Sequence, residues 1–174
     1  MAINRLLLLM VLVFLAGAFN FCSGKGIHNK HYRYSITLPD KLIEINDSSN
    51  SLFSSAYYDS ASSILLMISA QKGTFKHVKD YIDCSHLELE QQLQSDYGDT
   101  SLRLISCNVS GFYPKKTTLL RFEILSLDPG YSRYIIYFIH HHKYDIQISF
   151  TYKKANEVAS VQYINRVMET LTLF

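Results

Sequence analysis

Tryptophan is absent from this chain of 174 residues, and proline (3) and glycine (7) are scarce. Few prolines and glycines, together with an apolar content of 48%, argue against a disordered or fibrous protein. The chain also lacks a marked excess of charge of either sign, since it has 17 basic and 15 acidic residues. The chain therefore has no charge excess that would attract nucleic acid, and we predict no nucleic-acid partner.

Familiar catalytic motifs are missing as well. The sequence has no G-x-S-x-G, H-E-x-x-H, C-x-x-C or P-loop pattern, each of which places a nucleophile, metal or phosphate in a defined geometry. Internal repeats and coiled-coil heptads are also absent. We therefore predict a protein that is not an enzyme and that has no cofactor.

The N-terminus has the layout of a secretory signal peptide: Arg5, then an apolar run over residues 6–19, with small residues at Ala16-Gly17-Ala18. The run is shorter than the roughly 20 residues of a transmembrane helix. We predict a signal peptide over residues 1–18, a flexible linker over 19–30 and a single domain over 31–174. An uncleaved anchor is the alternative. In both cases the domain is extracytoplasmic, either periplasmic or secreted.

The three cysteines leave two alternatives open. Cys22 follows the apolar run where a bacterial lipoprotein carries its lipid, but Phe21 is larger than that processing accepts. Cleavage after Ala18 is therefore predicted and lipidation of Cys22 is the alternative, with membrane contact only through that anchor. A disulfide between Cys84 and Cys107 is permitted outside the cytoplasm. Two thiols are favoured, because Cys84 is expected to point away from the buried side of its helix.

Hydrophobic periodicity predicts seven strands and two helices. The strands are predicted over 32–39, 51–60, 63–71, 101–109, 117–127, 131–140 and 144–153, with a bulge between Leu104 and Ile105. The strands over 63–71 and 131–140 are apolar on both faces and should be central. The helices are predicted over 74–98 and 156–171.

Both predicted helices have an apolar stripe and end signals. The first is expected to begin at Thr74 and end at Gly98, and the second to be capped by Asn156. The predicted buried stripes are Val78, Ile82, Leu89 and Leu93 in the first helix, and Val158, Val161, Ile164, Met168 and Leu171 in the second. The element order βββαββββα predicts an α+β fold. Its mainly antiparallel sheet of about six or seven strands is covered by two helices, as an αβα sandwich.

Three stretches resemble the PsbP-like family of Ran-binding-protein-like α/β sandwich domains, in its bacterial envelope branch. They are YRYSITLP (32–39), YYDSASSILLMISA (57–70) and the C-terminal strand and helix from Tyr144 onward. One departure is that the family opening often continues Pro-x-x-Trp, whereas Leu42 stands at that position here. Relatives with this fold include a photosystem extrinsic subunit, a Ran-GTPase-binding nuclear protein, bacterial envelope proteins and chaperones for secreted toxins. Nearly all of them act by binding other proteins, so the resemblance implies a protein-binding domain. We therefore expect an exported cell-envelope accessory protein with an unidentified protein partner.

Three consecutive histidines, residues 140–142, lie between two apolar stretches. If the chain turns at His142-Lys143, His140 comes opposite Asp145 and the run is the end of a hairpin. Alternation along a strand would instead place His140 and His142 on one face, where Asp145 can join them as a metal ligand. The hairpin is the favoured interpretation. A metal-binding protein using His140, His142 and Asp145 is the alternative function.

Overall fold

The computed structural model describes residues 24–45, 55–73, 81–112, 117–127 and 133–174. The predicted signal peptide, its cleavage site and Cys22 lie outside these residues, as do Thr74 and Val78.

The larger sheet has seven strands in the spatial order β3-β4-β5-β9-β8-β7-β6, and all neighbours are antiparallel. The strands are β3 (Ile43–Ile45), β4 (Ser55–Asp59), β5 (Ile64–Lys72), β6 (Leu102–Phe112), β7 (Thr117–Ser126), β8 (Arg133–His141) and β9 (Tyr144–Tyr152). The predicted α+β class with a mainly antiparallel sheet is confirmed. The two strands that are apolar on both faces, β5 and β8, are interior strands, as predicted.

A second sheet of three strands was not predicted as a separate layer. In it β2 (Tyr34–Pro39) lies between β1 (Gly24–Asn29) and β10 (Thr172–Leu173). The prediction of a flexible linker over 19–30 was therefore wrong for residues 24–29, because their backbone pairs with β2 along its length. Strand β10 was missed because two residues carry no periodicity.

One face of the larger sheet packs against β2 and the C-terminal helix. Alternation along β2 buries Tyr34, Ile36 and Leu38, as predicted for this strand. They share one core with the inward residues of β5, β8 and β9, and with Ile164 and Val167 of the helix. This core joins the small sheet, the large sheet and the helix.

The opposite face of the large sheet is covered over β6, β7 and β8 by helix α1 (His86–Tyr97). Leu89 and Leu93 of α1 are buried against Leu120, Phe122 and Ile124 of β7. The predicted bulge in β6 is confirmed, since the register with β7 shifts between Leu104 and Ser106. Helix α1 and the C-terminal helix therefore cover different faces of the sheet, as an αβα sandwich requires.

Helix α1 begins later than predicted. Ser85 is its N-cap: the Ser85 side chain accepts from the Glu88 amide, and the Glu88 carboxylate accepts from the Ser85 amide at 2.8 Å. This capping box interrupts the single helix predicted over 74–98, although residues 81–83 are themselves helical. Gly98 ends α1 at a φ of +64°, as predicted. Ile82 of the predicted stripe is exposed.

The C-terminal helix α2 (Glu157–Glu169) follows a short 3₁₀ turn (Lys154–Asn156). Its buried side chains are Ser160, Ile164 and Val167, and Val161, Met168 and Leu171 of the predicted stripe are partly buried against the same core. The prediction was wrong for Val158, which is 74% exposed. The small Ser160 side chain takes an inward position that an apolar pattern does not reveal. Asn156 does not cap the helix through its side chain, which instead donates to the carbonyl oxygen of Ser62 at 3.2 Å.

Cys84 and Cys107 are thiols rather than a disulfide. Both are half-buried and pack at the border of the core under α1. The expectation that Cys84 points away from that core was wrong, because Cys84 precedes the N-cap of α1 and so does not follow the phase of the helix. Burial raises the pKa of the Cys107 thiol, which keeps it protonated.

Candidate functional site

The histidine run forms the end of a hairpin. Strands β8 and β9 pair until His141 meets Tyr144, and His142 and Lys143 form the two-residue loop. His142 has a φ of +57°, the positive value that tight hairpin turns require at their first loop position. The favoured interpretation of this run as a hairpin end is therefore what the backbone shows.

His140 and Asp145 face each other across the hairpin, as the predicted register required. The Nδ1 atom of His140 lies 2.7 Å from Oδ1 of Asp145, and both side chains are buried. Gly73 closes this pair from the side: its amide donates to the Lys143 carbonyl at 3.0 Å, and a Cβ at Gly73 would overlap the Asp145 carboxylate. The pair is thus packed into the sheet.

His141 belongs to the other face of the sheet, because successive strand residues alternate. Its Nδ1 lies 2.7 Å from Oγ1 of Thr117 on the neighbouring strand β7, and both residues are buried. Burial, and next the nearby His142, lower the pKa of His141 below its usual value, while the backbone of Phe174 acts in the opposite direction. His141 is therefore a neutral imidazole at pH 7.

These contacts limit the chemistry that the histidines can perform. The His140–Asp145 and His141–Thr117 pairs lie on opposite faces, so they do not form one proton relay to a hydroxyl nucleophile. The structure brings together two of the three predicted metal ligands, whereas His142 lies exposed in the loop. Within the described ranges, no group of three His, Cys, Asp or Glu side chains is placed to hold a metal ion.

A cavity that the sequence did not predict lies on the face of the larger sheet that carries His141. It has a volume of about 280 Å³ and opens between strands β7 and β8 and the C-terminal end of α2. Its lining is mostly apolar and consists of Thr117, Leu119, Tyr137, Ile139, Met168, Leu171, Thr172 and Leu173. No local motif marks these residues, because they come from four separate elements and meet only in the folded chain.

A charged pair lies beside the cavity, in contact with the lining residue Tyr137. Arg121 follows Leu119 on the same face of β7 and lies opposite Tyr137 of β8. The Arg121 Nε donates to the Tyr137 hydroxyl at 3.4 Å, and its Nη2 lies 2.5 Å from Oε1 of Glu123. Burial lowers the pKa of Arg121, but the hydrogen bonds and charges of Tyr137 and Glu123 together outweigh it, so the pKa is raised and the side chain stays charged. The cavity is thus mostly apolar inside, with the Arg121–Glu123 ion pair beside its Tyr137 wall.

Comparison with solved structures identifies the fold. The structure of the cyanobacterial PsbP protein CyanoP from Synechocystis sp. PCC 6803 superimposes with a TM-score of 0.66, at 10% sequence identity, over 90% of this chain and 95% of that one. The fold is PsbP-like. The structure of LpqN, a protein involved in cell envelope biogenesis of Mycobacterium tuberculosis, has a TM-score of 0.50 at 10% identity, over 88% of this chain and 92% of LpqN.

The solved structures show a PsbP-like fold at low sequence identity. No protein-family model matches the sequence, and no curated protein matches it either. Among the described residues, no helix is long and apolar enough to cross a membrane. The structural likeness confirms the family resemblance of the three sequence stretches at the level of fold.

Proposed function

We propose that this PsbP-like protein is an extracytoplasmic accessory protein of the cell envelope that acts by binding another protein and does not catalyse a reaction. The observation that carries the proposal is the apolar edge of the larger sheet at β3. Ile43 and Ile45 lie on the same side of this strand and are 68% and 42% exposed.

The edge at β3 suits strand addition by a partner. Among the described strands, β3 pairs only with β4, so its outer backbone groups face away from the sheet. An edge strand of this kind supplies main-chain hydrogen bonds, while the exposed apolar side chains contact alternate side chains of the added strand. The opposite edge strand, β6, carries a bulge at Leu104–Ser106, which disturbs the ladder and disfavours pairing.

The location in the envelope is supported by two further observations. The first 18 residues have the layout of a signal peptide, which directs a chain out of the cytoplasm. LpqN, which shares the fold, is involved in cell envelope biogenesis. The lining of the cavity is mostly apolar. His140 bonds Asp145 and His141 bonds Thr117 inside the sheet. Both observations support a binding role over a catalytic one.

Site-specific photo-crosslinking in the native cell envelope tests the proposal. A photoreactive phenylalanine at position 43 should give one reproducible adduct with a second protein, and Ile45→Lys should abolish that adduct. The matched control is the same probe at Val109, which is also apolar and 51% exposed but lies on the bulged edge. Equal adducts from positions 43 and 109, or none from position 43, would contradict binding through β3.

A further inference from the structure

We propose that the cavity between strands β7 and β8 and the end of α2 is a binding site for a single-chain amphiphile: one alkyl chain with an anionic head. This site is separate from the β3 edge that carries the proposed partner binding. It adds a small-molecule ligand that no sequence motif indicates.

The apolar walls of the cavity favour an alkyl chain. Leu119 and Ile139 form its floor on the sheet, and Met168, Leu171 and Leu173 close it from the C-terminal side. Two of the three polar side chains in the lining are engaged: the hydroxyl of Thr117 bonds His141, and the Tyr137 hydroxyl accepts from Arg121. A polar ligand would lose its water hydrogen bonds here without replacement, whereas an alkyl chain loses nothing comparable.

The size of the cavity suits one chain of medium length. Its volume is about 280 Å³. That is at the lower end of ligand pockets, which start near ~300 Å³, and well above the ~150 Å³ of an engineered apolar cavity that takes up benzene in another protein. If each methylene takes roughly the ~30 Å³ that one water takes in the liquid, the space holds about nine or ten carbons.

Arg121 favours an anionic head on the ligand. Its side chain is 24% exposed, next to the cavity wall at Tyr137, so a head group leaving the cavity at this end meets a guanidinium. Among the described residues, Glu123 engages the Nη2 atom and Tyr137 the Nε atom, and the guanidinium has five N–H donors in a planar fork. Donors thus remain for a carboxylate or phosphate oxygen.

Titration calorimetry with decanoate and with decanol tests the proposal on the mature protein. We expect saturable binding of decanoate at one site per chain and weaker binding of decanol. Arg121→Gln should weaken decanoate by roughly tenfold, about 1.4 kcal/mol, and leave decanol unchanged. Because Arg121→Gln also frees Glu123, the double variant with Glu123→Gln should show the same loss for decanoate.

Filling the cavity tests where the chain binds. Met168→Trp places a large ring in the cavity, and Thr172→Trp does so from an exposed position, so at least one of them should leave the fold intact by circular dichroism. Both should abolish decanoate binding. The matched control is Val158→Trp, which lies on the same helix and is exposed, and it should bind decanoate normally.

Three results would overturn the proposal. They are the lack of saturable decanoate binding, full binding by a folded cavity-filled variant, and equal affinity for decanoate and decanol in the unmodified protein. The photo-crosslinking at β3 is independent of these results, because β3 contributes no residue to the cavity. Failure of the ligand proposal and failure of the partner proposal can therefore be distinguished.

Discussion

The imidazole of His140 and the carboxylate of Asp145 meet at 2.7 Å across the β8–β9 hairpin, deep in the sheet. The backbone of Gly73, where β5 ends, lies directly against that carboxylate. The pair thus links the end of β8 to the start of β9, and Gly73 at the end of β5 packs against it and bonds the hairpin loop at Lys143.

Gly73→Ala is predicted to destabilise the protein by about 1–3 kcal/mol, as overpacking in a closed site does. The added methyl would overlap the Asp145 carboxylate, which cannot swing away because it is buried beside His140. Chemical denaturation measures the effect. Gly26→Ala is the control, since its Cβ would meet nothing within 4 Å.

A double variant identifies the cause of this destabilisation. In an Asp145→Ala background the overlapping atoms are gone, so Gly73→Ala should cost much less there than in the unmodified protein. The same cost in both backgrounds, or equal effects of Gly73→Ala and Gly26→Ala, would contradict the proposed role of Asp145.

Ser160→Ala is predicted to stabilise the protein by about 1 kcal/mol. The Ser160 side chain is 1% exposed inside α2, and its hydroxyl has no hydrogen-bond partner among the described residues. Removing it relieves the desolvation of an unpaired hydroxyl and improves helix propensity. Ser95→Ala, on the exposed face of α1, changes helix propensity without a buried hydroxyl, so it measures the contribution of propensity to stability alone. A gain no larger than that of Ser95→Ala would show that the Ser160 hydroxyl is satisfied in solution.

Acidification is predicted to weaken the fold through His141. Its folded pKa lies below the ordinary value of 6.5, so below that pH the unfolded chain takes up a proton more readily than the folded chain. Stability therefore falls as the pH drops through 6.5 toward the folded pKa, and this group causes no further loss below it. Urea midpoints at about pH 7.5 and pH 5.5 should differ less in His141→Gln, and an unchanged difference would contradict the argument.

Chelation is predicted to leave the protein unchanged. His140 is committed to Asp145, and His142 lies in the exposed loop, so the predicted ligands do not converge on one ion. Protein purified without a histidine tag should show the same thermal midpoint with and without a chelator. A stoichiometric ion that is lost on His140→Ala would instead establish the alternative function as a metal-binding protein.

The mature chain is predicted to begin at Phe19. Ala16-Gly17-Ala18 fits ordinary signal peptidase, and Phe21 is too large for lipoprotein processing at Cys22. Intact mass spectrometry of the protein from its native envelope should give the mass of residues 19–174. A chain that starts at Cys22 with added acyl mass would show a lipoprotein instead.

Sequence periodicity predicted the elements whose residues alternate strictly. The strand over 32–39, the bulge at Leu104–Ser106 and the hairpin register of His140 with Asp145 all follow from local patterns. Strands of this kind reveal their faces because a shift of one residue would place every apolar side chain on the wrong side. The central positions of β5 and β8 were predictable because both of their faces are apolar.

The features that sequence missed depend on contacts between distant segments. Strands β1 and β10 are defined by backbone pairing with β2, which leaves little mark on side-chain pattern. The buried face of α2 includes Ser160, a residue that no apolar stripe would include. The cavity near Arg121 is space that side chains leave unfilled, and unfilled space has no residue signature at all.

The pairing of β10 with β2 has a consequence for how the protein reaches its folded state. Thr37 and Thr170 bond each other although they are 133 positions apart, and Phe174 bonds Arg33 in the same region. Such distant closure is slow, because chain entropy must be lost before the contact forms. Because these contacts need residues 170–174, they cannot form until that segment has been synthesised, so the closure of the small sheet comes late in folding.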